Sequence, residues 1–286
     1  MAATEKDSVT GTDTTGHEWD GLKELNTPLP KWWLWTYVAC VVWGVVWVVL
    51  YPALPGITGH FRGVLGFSTR GELAAELQAT AKARAAVLDP IAAMPVAQVK
   101  SDPKLMQAAL AAGRTVYAEN CQPCHGAGGE GKLGYPSLAD DNWIWGGSLD
   151  DIVKTLHVGI RSGHADARAS IMPAFGAILQ PGELDAVTDH VMALYGKPRG
   201  GADVAKGAEL FAANCAACHG EAGQGNRDLG APMLKTATHL YGDTRELVRA
   251  QIANPRMGVM PNWNTRLSEA TIRAVAIYVH MLGGGE

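Results

Sequence analysis

Charge is scarce in this chain of 286 residues: Asp, Glu, Lys and Arg make up 18%, against about 25% in a usual soluble domain. Neither sign dominates, since 24 Lys and Arg face 28 Asp and Glu for a net of −4. A nucleic-acid binder needs a basic face to neutralise phosphates, so no nucleic-acid partner is expected. Cysteine is sparse as well, with five residues, four of them in two C-x-x-C pairs, which is too ordered for a disulfide framework. The length is more than one compact domain usually holds and suits about two. Long apolar runs are missing except for one.

That run is WLWTYVACVVWGVVWVVLY, Trp33 to Tyr51, 19 residues without a charge. As a helix it nearly covers the ~30 Å hydrocarbon layer of a bilayer. Trp32, Trp33 and Trp35 mark one end and Tyr51 the other, where amphipathic rings settle among headgroups, and Pro52 and Pro55 stop the helix. Trp43 and Trp47 stand among valines on every face, which suits lipid better than a protein core. The run begins too far along the chain, and is too long, for a cleaved signal peptide. It reads as a permanent anchor over 32–51, with Cys40 as one more apolar side chain and Gly44 allowing close approach of a neighbouring helix. Lys23 and Lys31 on one side balance Arg62 and Arg70 on the other, so flanking charge does not orient it.

The segment 1–31 precedes the anchor, and residues 1–16, rich in Thr, Ser, Gly and Asp, are expected to be a disordered tail. A linker over 52–104 follows. It is Gly- and Pro-rich to residue 71, then becomes a surface helix from Glu72 to Leu88 that ends at Asp89-Pro90.

The remainder is a duplication. GRTVYAENCQPCHG at 113–126 matches GAELFAANCAACHG at 207–220, offset by 94, and the stretch from Met172 matches that from Met260, offset by 88. Two tandem helical segments result, 105–197 and 198–286. Each opens with a helix running into C-x-x-C-H, the first begun by Pro103. Each carries a middle helix, Leu149 to Val158 or Thr244 to Ile252. Each closes with a helix whose apolar residues recur at helical spacing, Leu184, Val187, Val191 and Leu194 in one and Ile272, Val275, Val279 and Leu282 in the other. The fold class is therefore all-α: one N-terminal transmembrane helix followed by two tandem helical domains, which the C-x-x-C-H of each makes cytochrome c-type.

C-x-x-C-H is the attachment sequence of c-type haem, in which both thiols become thioethers and the adjacent histidine ligates iron. Cys121, Cys124 and His125 would hold one haem c, and Cys215, Cys218 and His219 a second. A zinc site built from the four thiols is the metal rival, but it leaves the repeated His and Met of each segment unexplained. Sixth ligands come from a Met-Pro before the closing helix, Met172 in the first segment and Met260 in the second. Met257 is the rival in the second, and repeat register favours Met260. A thioether on iron closes the position that oxygen or peroxide would need. His157, His164, His190, His239 and His280 read as surface or core residues. Tyr135, Trp143, Trp145 and Phe175 are expected to wall the first haem, and Tyr241 and Trp263 the second. The acid pairs Asp140–Asp141 and Asp150–Asp151 could attract a basic redox partner.

The opening HEWDGLKELNTPLPKWWLWTY, with His17, Trp19, Asp20, Gly21, Glu24, Pro28, Pro30, Trp32 and Trp33, resembles the signature of the CcoP/FixP family, the dihaem subunit of cbb3-type cytochrome c oxidases. LGFSTR at 65–70 resembles a further family stretch, and the likeness runs over nearly all of 17–284. It implies a chain that is non-catalytic by itself. Electrons would come from cytochrome c or the cytochrome bc1 complex and pass to a monohaem cytochrome c subunit and a haem-copper catalytic subunit. It implies His125, His219, Met172 and Met260 as iron ligands. It also implies a single-pass protein of the bacterial inner membrane, N-terminus in the cytoplasm and haem domains in the periplasm. A dihaem subunit of a periplasmic dehydrogenase and a dihaem peroxidase are the other readings.

Overall fold

The computed structural model describes residues 4–198 and 203–286, which fall into two compact units divided between Ala81 and Lys82. In the first unit β1 (Thr14–Trp19) and β2 (Leu22–Leu25) pair antiparallel, Trp19 facing Leu22 and Thr14 facing Leu25. The turn between them is Asp20-Gly21, both at positive φ (49° and 84°), a conformation whose twist matches that of the strands. Lys6 bridges Asp13, and Lys23 Nζ lies 2.6 Å from Glu5 Oε1. The disordered tail expected over 1–16 is thereby corrected within the described residues. Cross-strand pairing orders this Thr-rich stretch, and it leaves no helical or strand-length apolar pattern to read.

α1 covers Lys31–Leu50, with none of its residues buried. Among the described residues it is the helix long and apolar enough to cross a membrane. Its aromatics stack one turn apart, Trp33 on Tyr37 at 5.7 Å and Trp47 on Tyr51 at 4.4 Å between ring centroids. The Thr36 hydroxyl donates to Trp32 O at 2.9 Å, so the helix satisfies its own polar group. α2 runs Thr69–Ala93 and carries Pro90 inside its last turn rather than stopping before it. Ile91 is fully buried with Val96, Val99 and Ala109, and that burial offsets the backbone donor lost at the proline.

The second unit holds the remaining helices: α3 (Val96–Ser101), α4 (Pro103–Asn120), α5 (Gln122–His125), α6 (Leu149–Val158), α7 (Pro181–Leu194), α8 (Asp203–Asn214), α9 (Ala216–His219), α10 (Arg245–Ala253) and α11 (Glu269–His280). Their starts are chemical. Asp102, Ser148, Thr244 and Ser268 each accept from backbone N–H groups of the first turn. α4 packs on α11, with α6 and α3 beside them, whereas α7 packs on α8 and α10. The helices thus form two lobes. Lobe B, α7 to α10, is a continuous piece of chain lying between α6 and α11 of lobe A. These lobes do not coincide with the repeat halves 105–197 and 198–286: the 197/198 boundary falls between α7 and α8, which pack on each other.

The opening glycine of the repeat marks each helix crossing. A Cβ on Gly113 of α4 would stand 2.3 Å from Ala274 O of α11, and one on Gly207 of α8 would stand 2.1 Å from Ala186 O of α7. Only glycine lets these backbones approach so closely. Loops of the two lobes are tied by Asn142 Nδ2 donating to Thr238 Oγ1 at 3.0 Å and by Gly134 N donating to Leu240 O at 2.7 Å.

Candidate functional site

α4 passes directly into the single turn of α5, so that Cys121, Cys124 and His125 project from one helical turn. His125 N donates to Cys121 O at 2.9 Å and Cys124 N to the same carbonyl at 3.1 Å. α9 repeats this, with His219 N to Cys215 O at 2.9 Å and Cys218 N to Cys215 O at 3.1 Å. Gly126 and Gly220 end the two turns at φ 86° and 76°, where an L side chain is strained. That conformation accounts for the glycine closing both copies of the motif.

Each histidine is held by a proline carbonyl. His125 Nδ1 lies 2.9 Å from Pro136 O, and His219 Nδ1 lies 3.0 Å from Pro232 O. A carbonyl only accepts, so Nδ1 carries the proton and Nε2 keeps its lone pair, the tautomer a metal ligand requires. Burial pushes the pKa of both imidazoles down, against a smaller upward pull from the proline carbonyls, which favours the neutral form. Burial also lifts the Cys121 and Cys215 thiols to about 11, with the second thiol of each pair adding to it. No disulfide joins any of the five cysteines. Among the described residues no three His, Cys, Asp or Glu side chains converge as a metal site, which leaves the zinc reading without a ligand set. Two thiols and a pre-oriented imidazole on one turn, beside an apolar cluster, are the donor set of covalent haem, and the residues fit that group.

Two apolar clusters accompany the motifs. Tyr117, Ile152, Leu156, Trp263, Ile272, Val275, Ala276 and Val279 form the first, with Cys121 and Met260 packed against it. Phe175, Leu184, Val187, Val191, Met192, Phe211, Val248 and Ile252 form the second, with Cys215 and Met172 against it. The structure therefore brings Met260 to the cluster of the first motif and Met172 to that of the second, the reverse of the order in the sequence. The Met260 loop is fastened to the end of α6: Ile160 N donates to Met260 O at 2.9 Å, Met260 N to Ile160 O at 3.0 Å, and Trp263 N to Leu156 O at 2.8 Å. Met257 is 40% exposed and lies outside both clusters.

Two aromatic assignments are corrected for the same reason. Phe175 packs in the cluster of the second motif and Trp263 in that of the first, because each travels with its neighbouring methionine. Trp143 borders the first cluster as expected. Tyr135 is 41% exposed beneath Lys132, the Trp145 ring lies against Gly230, and the Tyr241 hydroxyl accepts from Gly258 N. Several of the other histidines are engaged elsewhere: His157 with Glu269 at 2.9 Å, His190 on the Phe211 ring, His239 on the Tyr195 ring, and His280 Nε2 with Glu286 O at 2.8 Å. Of the acid pairs, Asp151 accepts from Arg168 at 3.0 Å and Asp140 from Thr238 at 2.9 Å, so both are used inside the protein.

Sequence reasoning passed over the two proline carbonyls, although a proline follows the Gly-rich loop in both copies. It also passed over Arg245, whose guanidinium meets Asp189 at 2.6 Å and Asp185 at 3.1 Å. These carboxylates raise the pKa of Arg245 further, and Arg249 and Arg245 lower that of Asp185.

An anchored helical chain with two such attachment turns is a membrane-bound cytochrome of the c type. The family model for the N-terminal domain of cytochrome oxidase-cbb3, FixP, matches residues 11–58. The model for cytochrome c oxidase, cbb3-type, subunit III, matches residues 108–191 and 202–279. The chain is 46% identical over 285 residues to the cbb3-type cytochrome c oxidase subunit FixP of Bradyrhizobium diazoefficiens, covering 99% of this chain and 98% of that one. It is 47% identical over 296 residues to subunit CcoP of an Azospirillum species, covering both chains completely. Subunit CcoP of Cereibacter sphaeroides is 46% identical over 276 residues, covering 96% and 95%. The chain belongs to the CcoP/FixP family of cbb3-type cytochrome c oxidase subunits. Membership makes it a haem c-binding, electron-transferring subunit of a membrane-bound oxidase complex.

Proposed function

We propose that the chain carries two covalent haems c, at Cys121, Cys124 and His125 and at Cys215, Cys218 and His219, with Met172 and Met260 as the sulfur ligands. In this reading it takes electrons from cytochrome c or cytochrome bc1 and delivers them to a monohaem cytochrome c subunit and the haem-copper catalytic subunit. Haem iron supplies reversible one-electron oxidation and reduction. The chain's own residues supply the rest. Pro136 and Pro232 fix the orientation of the ligating imidazoles, and Cys121 and Cys215 pack against the two apolar clusters. Met172 and Met260 would fill the iron positions that oxygen or peroxide would need, which in this reading makes the chain non-catalytic by itself.

The observation that carries this reading is the paired histidine-to-proline hydrogen bond behind both attachment turns. Haem c attachment outside the cytoplasm supports a cytoplasmic N-terminus and periplasmic haem segments. A redox difference spectrum of the native membrane complex tests the proposal. Haem c together with haem b and a high-spin haem is the expected result. A complex containing a flavin or quinone dehydrogenase, or strong carbon monoxide binding by the isolated chain, would support the dehydrogenase-subunit or peroxidase reading instead.

A further inference from the structure

We infer that the loop following α1 makes a second membrane contact: residues 54–67 lie in the lipid headgroup layer at the C-terminal end of α1, and Arg62 and Arg70 meet lipid phosphates. This rests on α1 as the membrane anchor and goes beyond it in assigning a separate segment, and a ligand chemistry, to the bilayer surface. Depth is set by hydrogen bonds. The last carbonyls of a helix lack partners within it, and at the edge of a bilayer that lack is costly. The loop folds back and supplies donors: Val64 N donates to Val49 O at 2.9 Å, and Leu65 N donates to Leu50 O at 3.1 Å. Gly63 permits the approach, since at its φ of 73° a Cβ would stand 2.3 Å from Leu50 O. The 20 residues of α1 extend about 30 Å, the thickness of the hydrocarbon layer. Residues bonded to its last turn therefore sit where hydrocarbon gives way to headgroups. An aromatic stack crosses the same junction, from Trp47 to Tyr51 at 4.4 Å and from Tyr51 to Phe67 at 5.6 Å between ring centroids.

The chemistry of the loop fits that layer. Gly56 N donates to Gly59 O at 2.6 Å and Phe61 N to Leu54 O at 2.9 Å, which closes a narrow hairpin with Ile57 fully exposed at its tip. Leu54, Phe61, Val64 and Leu65 are exposed as well, next to a helix with no buried residue of its own. Water penalises so much contiguous apolar surface. Irregular backbone is equally unsuited to the hydrocarbon itself, and the boundary between the two accommodates both. Charge points the same way. Between Tyr51 and Glu72 the chain has Arg62 and Arg70 and no Asp or Glu, whereas the segment before α1 mixes Glu18, Asp20 and Glu24 with Lys23 and Lys31. Both arginines are exposed, and among the described residues neither enters an ion pair. Guanidinium groups on an apolar loop without carboxylates suit phosphate oxygens that lie beside acyl chains. A neighbouring subunit would have to provide a pocket for Ile57 and acids for both arginines, and the headgroup layer provides both by its composition.

The test uses the haem-loaded full-length chain in vesicles of phosphatidylcholine and phosphatidylglycerol, with Cys40→Ser so that one introduced thiol carries a nitroxide label. Ile57→Cys is the probe, Val45→Cys in α1 is the hydrocarbon reference, and Asp166→Cys, at an exposed position, is the water reference. Oxygen gathers in hydrocarbon and a nickel chelate stays in water, so the ratio of their collision rates with the label reads depth. The ratio at Ile57 should be several-fold above that at Asp166. Gly63→Val, which blocks the fold-back, and Arg62→Glu/Arg70→Glu, which removes the phosphate contacts, should each lower it toward the Asp166 value. A ratio at Ile57 equal to that at Asp166, with Val45 still high, would overturn the loop assignment alone. Nickel access at Val45 as well would sink the anchor reading on which it rests. An Ile57 ratio that neither variant changes would refute the fold-back and the phosphate contacts as its cause. In the native oxidase complex the Ile57 label should keep its oxygen access, and exclusion of both reagents there would assign the loop to a neighbouring subunit and overturn the lipid contact.

Discussion

Gly207→Ala puts the helix crossing to a quantitative test. In a free helix this change is favourable, by about 1 kcal/mol. Here the added Cβ would lie 2.1 Å from Ala186 O and 2.7 Å from Ala186 C, with His190 Cβ at 3.0 Å. Reaching an ordinary carbon-to-oxygen contact, near 3.3 Å, requires α7 and α8 to separate by about 1 Å. A gap of that size forfeits a quarter to a half of the dispersion well across the interface, and overpacking of this kind costs roughly 3 kcal/mol at its upper range. Set against the helix gain, a net loss of about 2 kcal/mol remains, or roughly thirtyfold in the folded-to-unfolded ratio. Urea titration of the full-length chain, followed by absorption at the haem and by tryptophan fluorescence, measures it. Gly182→Ala in α7 is the control, because a Cβ there meets nothing within 4 Å. Stability of Gly207→Ala equal to or above wild type would refute the close crossing.

Two more expectations follow from the same geometry. Tyr117 is 1% exposed and donates from its hydroxyl to Gly126 O at 2.8 Å, so Tyr117→Phe should cost about 1 kcal/mol by leaving that carbonyl only the longer hydrogen bond from Gly129 N at 3.3 Å, read as a lower thermal midpoint. His125 and His219 have pKa values depressed by burial. Above about pH 6.5 both folded and unfolded chains hold them neutral, and below it the unfolded haem-free chain takes up protons that the folded one refuses. Stability should therefore fall with acidification, by at most about 1.4 kcal/mol per pH unit for each histidine. Denaturation midpoints that stay flat from about pH 7 to about pH 5 would contradict this linkage.

Where a single side chain announces an element, the reading from residues agrees with the structure. Pro103 begins α4, Ser148 and Thr244 cap α6 and α10, and the short helices α5 and α9 each end on the histidine of a C-x-x-C-H. The partners of those elements were not legible from apolar periodicity. Leu184 and Ile272, Val187 and Val275, Val191 and Val279 bury the same face in each repeat, so the pattern says that a face is covered but not by which helix. The informative positions were the ones that break the likeness, Asp185 against Arg273 and Leu149 against Arg245. The hairpin near the N-terminus escaped because its strands expose nearly every side chain, which removes the alternation that usually betrays a strand. Pro90 misled because a proline is a strong local signal and the burial of Ile91 is not a local one.

Because one lobe lies within the span of the other, the two do not become complete in the order in which their cysteines are made. The ribosome delivers Cys121 well before Cys215, yet lobe B has all its helices once Ala253 is synthesised, while lobe A waits for α11. The earlier pair of thiols is thus presented on an open half-shell through most of biosynthesis. A chain ending prematurely after α10 would retain a finished inner lobe and an outer one without its last wall.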